Sequence, residues 1–171
     1  WTLAPDALQL LDALVRDLRP RHVIECGAGA STAVIAHACA ATATTCAITS
    51  IDHDPEFGVP DSRGVAAIAS HVTLASIQAP LVARDAGAKL LPTYLLRPDQ
   101  RASTAPADLV LIDGPPLALG GREGVLYQVL PWCRPGTVVL LDDAHRRSER
   151  AAVRHWQTTL GAAIEVRRLD G

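Results

Sequence analysis

The stretch from Arg21 to Ala36 (RHVIECGAGASTAVIA) constrains this chain more than any other part of it. It reads as a short apolar strand, a turn built on Gly27 and Gly29, and then an alanine-rich helix. The two glycines let the backbone turn sharply and let a ligand approach without meeting a Cβ. Ser31 is placed to cap the helix, whose free N–H groups point back at the loop. A nucleotide-type cofactor is the usual occupant of such a turn, and a plain strand-to-helix connection is the alternative. Two details narrow the choice. Counting from Gly27, the sixth position of the dinucleotide fingerprint is Thr32 and not glycine, which disfavours a nicotinamide cofactor. Glu25, two residues before the first glycine, is poorly placed for a pyrophosphate and well placed for a ligand carrying an ammonium group.

The rest of the chain supplies the frame for that turn. Its 171 residues fit one domain. With 49% hydrophobic residues, 20% charged residues and a net charge of −2, there is ample apolar material for a layered core. No basic excess points to nucleic acid, and no apolar run approaches the length of a membrane span. The chain starts at Trp1 and has no Met, which suggests a processed or trimmed sequence. Cys26, Cys39, Cys46 and Cys133 form no CxxC pair, so they read as buried free thiols of a cytoplasmic protein. The six histidines are too scattered to mark a metal site by spacing.

Pro5 can open a helix with Leu8, Leu11, Val15 and Leu18 on one face, ended by Arg19-Pro20. A second strand is expected over 44–51, a loop at Gly58 to Ser62, a short helix at Val65 to Ala69 and a third strand at His71 to Ala75. Asp85 to Leu96 reads as helical, and Pro98 to Pro106 as a polar loop. Leu109-Val110-Leu111-Ile112 is the continuous apolar run of a buried parallel strand. A helix over 122–133, a fifth strand at Thr137 to Leu141, a helix from Ser148 to Leu160 closed by Gly161, and a last strand at Ile164 to Leu169 follow. This alternation predicts a doubly wound, Rossmann-like α/β fold with a mostly parallel sheet of order 3-2-1-4-5. Ligands of such sheets bind beyond the carboxyl ends of strands 1 and 4.

Acids stand at those ends. Asp52 closes strand 2, 25 residues after Gly27, where a carboxylate accepts hydrogen bonds from ribose hydroxyls. Asp54 is the second candidate, and a turn Asp before Pro55 the plainer reading. Asp113 follows strand 4, and Asp142 with Asp143 follows strand 5. Three carboxylates on one lip repel unless something positive sits among them. A hard divalent cation would serve, and solvated turn acids are the alternative. His145, just past the acid pair, is a candidate base or a surface histidine. Arg122, after Gly120-Gly121, could steady an anionic acceptor or stand exposed at a helix start.

The glycine loop, ITSIDHDP (48–55), DLVLIDGPP (108–116) and VVLLDDAH (138–145) together resemble class I S-adenosylmethionine-dependent methyltransferases. The nearest groups are small bacterial O-methyltransferases of the catechol and macrocin type, and the likeness covers roughly residues 5–160. It implies S-adenosylmethionine as cofactor, held by Glu25, Gly27, Gly29, Ser31, Asp52, His53 and Asp113. It implies Mg²⁺ on Asp113, Asp142 and Asp143, with Asp113 and His145 in the catalytic set. The acceptor it implies is a small molecule carrying a hydroxyl, with homo-oligomers among the arrangements open to such enzymes. After Asp113 the chain departs from the metal-dependent pattern, carrying Gly114-Pro115-Pro116.

Overall fold

Strands that are apolar along their whole length must be covered on both faces, and the chain builds its layers to do so. A computed structural model describes residues 3–55, 67–86, 89–101 and 106–167. Helix α1 (Pro5–Leu18) leads into β1 (His22–Cys26), α2 (Ala30–Ala41) and β2 (Cys46–Asp52). Then come β3 (Val72–Gln78), β4 (Leu81–Asp85), β5 (Leu90–Tyr94), one helical turn at Pro98–Arg101, and β6 (Ala107–Ile112). Helix α3 (Glu123–Val129), β7 (Cys133–Leu141), α4 (Arg147–Leu160) and a tight helical turn at Gly161–Ala163 follow.

The main sheet has five strands in the order β3-β2-β1-β6-β7, all parallel. This is the expected 3-2-1-4-5 order, with β6 and β7 as its fourth and fifth strands. Cys26 stands opposite Ile51 on one side and Ile112 on the other. Gly27, Asp52 and Asp113 therefore leave the sheet at one level. That register is what assembles the site.

Side chains alternate across the sheet. Val23, Ile48, Leu109 and Leu111 face Leu11 and Val15 of α1 and Ile35, Ala36 and Cys39 of α2. Ile24, Ile51, Val110 and Ile112 face the other way, onto Val125, Leu126 and Val129 of α3 and Trp156 of α4. Burying each such aliphatic side chain contributes about 1.5–3 kcal/mol. On α1, Leu11 and Val15 are fully buried, whereas Leu18 is exposed.

Several expectations are corrected. The helix read over Asp85 to Leu96 is an antiparallel hairpin of β4 and β5. Pro92 cannot donate within a helix, and Thr93 and Tyr94 favour a pleated surface. The hairpin packs on α3 so closely that a Cβ on Gly124 would lie 2.4 Å from the Pro92 carbonyl oxygen. The Gln128 side chain of α3 accepts the Tyr94 N–H (2.9 Å) and donates to the Tyr94 carbonyl (2.6 Å). The helix expected over 122–133 is shorter, because Pro131 turns its end into a tight turn at Leu130–Trp132 before β7 begins. Helix α4 starts after Arg146, not at a Ser148 cap; the Ser148 hydroxyl instead donates to the Glu149 carboxylate. The loop expected at Pro98 to Pro106 begins with a helical turn. In the C-terminal strand expected at Ile164 to Leu169, residues 164–167 pair with no strand among the described residues. Ile164 anchors that segment to the core while Glu165 and Arg167 pair in solvent. The loop at Gly58 to Ser62, the first two residues of the helix expected at Val65 to Ala69 and residues 168–171 lie outside the described residues, while residues 67–68 are helical as expected.

All four cysteines are free, and Cys39 Sγ lies 3.1 Å from Cys46 Sγ in the core. No helix among the described residues is long and apolar enough to cross a membrane.

Candidate active site

The turn after β1 is held from beneath. Glu25 is completely buried, and its carboxylate accepts hydrogen bonds from Ser31 (2.5 Å), Thr32 (2.5 Å) and Ser50 (2.6 Å). Burial pushes its pKa up, while the three hydroxyls oppose that shift. In this structure the Glu25 carboxylate is turned onto these three hydroxyls and braces the loop. Ser31 is not the helix cap. Gly29 holds that position, its N–H donating to Thr32 Oγ1 at 3.3 Å, and Ser31 sits in the first turn facing inward. Thr32, the residue that breaks the dinucleotide fingerprint, is one of the three hydroxyls that hold Glu25.

Gly27 has φ +102°, and a Cβ there would lie 2.7 Å from the Gly114 nitrogen. The β1 and β6 loops touch at this point, where the Cys26 carbonyl accepts the N–H groups of both Asp113 (2.8 Å) and Gly114 (2.7 Å). Gly29 by contrast faces open space, with nothing within 4 Å of a built Cβ. Asp52 Oδ2 accepts the Ala28 N–H (2.7 Å) and Oδ1 accepts the Asp54 N–H (2.8 Å), so this acid ties the glycine loop to the end of β2. His53 Nδ1 lies 3.1 Å from Asp52 Oδ1.

Tyr94 completes this floor. Its ring is buried, its hydroxyl has no hydrogen-bond partner among the described residues, and a Cβ on Gly114 would lie 2.7 Å from that oxygen. Burial pushes the phenol well above its ordinary pKa, so it is a neutral donor. An unpartnered buried hydroxyl under an open glycine turn suits a polar ligand of nucleotide size. The residues present fit such a cofactor. Tyr94 escapes a reading of the sequence because it falls inside the segment that reads as helix; no motif surrounds it.

Asp113, Asp142 and Asp143 do converge, each offering an oxygen within 4.8 Å of the others. Three carboxylates at neighbouring strand ends are the oxygen donor set that Mg²⁺ or Ca²⁺ takes, and by that chemistry they fit a divalent cation. A cation of the chain's own also lies among them. Arg122, 6% exposed, places Nη2 2.8 Å from Asp113 Oδ1, 3.0 Å from Asp143 Oδ2 and 3.6 Å from Asp142 Oδ2. Its Nη1 donates to the Asp142 carbonyl at 2.6 Å. Arg122 is therefore neither an exposed helix-start residue nor free for an anionic acceptor. Arg146 adds a second positive group, 2.7 Å from Asp143 Oδ2.

Burial, opposed by Arg122 and reinforced by Asp142 and Asp143, pushes Asp113 up to about 8. The sign follows directly. Between about pH 4 and 8 the folded chain holds a proton that the unfolded chain has lost, so stability falls as pH rises through that window and levels off above it. In metal-free buffer, urea unfolding at stepped pH should show a slope approaching about 1.4 kcal/mol per pH unit there. Asp113→Asn should flatten it, and an equal slope in that variant would assign the proton elsewhere.

His145 lies exposed in the turn that follows β7, two residues past Asp143. The register thus brings Gly27, Asp52 and Asp113 to one level of the sheet, Asp52 is tied to Ala28 of the glycine turn with His53 beside it, and Asp142 and Asp143 cluster with Asp113.

A family model described as a methyltransferase domain matches residues 24–144. The O-methyltransferase TomG from Streptomyces achromogenes, solved in complex with SAM, is 20% identical, with a TM-score of 0.58 over 93% of this chain and 69% of that one. The O-methyltransferase from Bacillus cereus, in complex with SAH, is 15% identical, with a TM-score of 0.59 over 94% of this chain and 71% of that one. A magnesium- and SAM-bound form of cmcI is 17% identical, with a TM-score of 0.55 over 93% of this chain and 61% of that one. At these identities the likeness is one of fold. No curated protein sequence matches the chain significantly.

Proposed function

The chain belongs to the methyltransferase-domain family, and from that premise we propose that it moves the methyl group of S-adenosylmethionine to a hydroxyl oxygen of a small molecule. The observation that carries this reading is the meeting of an open glycine turn, the Asp52 carboxylate and the unpartnered Tyr94 hydroxyl at one level of the sheet edge, beside an acid cluster. Gly29 gives the cofactor a surface without a side chain, and Gly27 lets the turn close against the β6 loop. Asp52, with lone pairs left on both oxygens, takes its ribose hydroxyls, and His53 flanks it. Glu25, Ser31 and Thr32 keep the loop in shape.

Bound S-adenosylmethionine supplies an electrophilic methyl group, and the protein's part is to align an acceptor with it and to remove the acceptor's proton. Asp113, Asp142 and Asp143 would hold Mg²⁺, which when bound lowers the pKa of a coordinated hydroxyl. His145, on the exposed turn beside them, is the base nearest in sequence to that lip.

Calorimetric titration with S-adenosylmethionine, S-adenosylhomocysteine and NAD tests the reading. The first two should bind and NAD should not; NAD binding alone would move the chain to nicotinamide chemistry. Asp52→Ala should weaken S-adenosylhomocysteine binding by about 1.5–3 kcal/mol, the loss of charge-assisted hydrogen bonds. Unchanged affinity in a folded Asp52→Ala would transfer the ribose contact to Asp54.

A further inference from the structure

We propose that Arg122 is the built-in cation of the Asp113–Asp142–Asp143 cluster, and that a divalent metal must displace its guanidinium to bind there. This rests on the reading above that these acids take Mg²⁺.

The geometry is specific. One nitrogen, Arg122 Nη2, reaches carboxylate oxygens of all three acids, at 2.8, 3.0 and 3.6 Å. These oxygens are the hard donors that Mg²⁺ would need, and Arg122 Nη2 already sits among them. The guanidinium is not a passing surface contact. Arg122 is buried, and its Nη1 is fastened to the Asp142 carbonyl at 2.6 Å. The chain delivers it by two consecutive glycines in left-handed backbone, Gly120 (φ +105°) and Gly121 (φ +81°), directly before α3. Gly120 has no freedom to become another residue, because a Cβ there would meet Pro92 Cγ at 2.9 Å.

Arginine stays charged at every working pH, so protonation cannot clear the position. Only a competing cation or a movement of the side chain can. The cluster is thus compensated before any metal arrives, and the attraction that three bare carboxylates would exert on Mg²⁺ is largely satisfied by Arg122. Arg146 contributes less, because among the described residues its ion pair in the cluster is with Asp143 alone and its side chain is 39% exposed.

The test uses Mg²⁺ alone, titrated calorimetrically and by thermal shift into the wild-type chain, Arg122→Gln, Arg122→Lys and Arg146→Gln. Arg122→Gln should bind Mg²⁺ about tenfold more tightly than wild type or better, with a matching Mg²⁺-dependent rise in Tm. Arg122→Lys, still cationic, should stay close to wild type, and Arg146→Gln should shift less than Arg122→Gln. If Arg122→Gln unfolds without metal, recovery of the fold on adding Mg²⁺ supports the proposal. Failure of Mg²⁺ to restore it overturns the proposal. Equal Mg²⁺ affinity in wild type and Arg122→Gln would also overturn it, showing that both cations fit at once or that neither competes. S-adenosylhomocysteine titrated into the wild-type chain is a separate readout. Its failure to bind would sink the methyltransferase reading and leave the competition between Arg122 and Mg²⁺ standing or falling on the metal titrations alone.

Discussion

Gly27→Ala is expected to lower stability by about 3–5 kcal/mol and to abolish S-adenosylmethionine binding, whereas Gly29→Ala should leave stability within about 0.5 kcal/mol of wild type. The two glycines look alike in the sequence but differ in what surrounds them. A methyl on Gly27 meets backbone, the Gly114 nitrogen at 2.7 Å and the Asp113 carbonyl carbon at 2.9 Å, and does so in a left-handed conformation. Neither neighbour can step aside without parting β1 from β6. A methyl on Gly29 meets nothing within 4 Å among the described residues. That variant should fold normally and lose only affinity. Denaturant unfolding and cofactor titration on both variants check the pair; a stable Gly27→Ala that still binds would refute the close-packed junction.

Glu25→Ala is expected to cost about 3–5 kcal/mol, because it strands three buried hydroxyls and opens a void beneath the loop. Ser31, Thr32 and Ser50 all donate to this one carboxylate, so its loss releases α2 from β1 and β2 together. Glu25→Gln preserves the shape and one acceptor oxygen and should cost about 1–2 kcal/mol. Cofactor affinity should fall in both, more in the alanine variant. The measurement is urea unfolding beside calorimetric titration. If Glu25→Ala were as stable as Glu25→Gln, the hydroxyls would have found other partners and the bracing role would be lost.

The residues legible in the sequence are those whose chemistry depends on the backbone. Two glycines after a strand, and acids at strand ends, have positions set by the alternation of elements. The register that puts Cys26 between Ile51 and Ile112 then carries Gly27, Asp52 and Asp113 to one place without further instruction. What the sequence does not reveal depends on side-chain direction and tertiary contact. Glu25 is an acid next to a ligand loop whether it faces out or in, and only the inward hydroxyls of Ser31 and Thr32 decide the matter. Arg122 at a helix start is ordinarily solvated; its burial follows from the bend at Gly120 against Pro92, a residue some thirty positions earlier in the chain. The β4–β5 hairpin reads wrongly as helix because it is short and has Pro92 inside a strand, and Tyr94 is lost with it. The acid cluster is foreseeable as a cluster, and so is its need for a positive partner, but not that the chain supplies one.

The amide clamp that Gln128 makes on Tyr94 bears on how this molecule meets its own kind. A primary amide presents an N–H donor beside a carbonyl acceptor, the same pair a neighbouring strand would present, and here that pair is engaged by one residue of β5. For that residue α3 acts as a surrogate strand. The hairpin is only two strands wide, and an unguarded edge beside exposed Leu90 and Leu95 would invite another chain to add itself. With Tyr94 answered from within, the part of the β5 edge left for cross-chain pairing lies toward Leu90. A single glutamine side chain thereby shortens the edge open to aggregation.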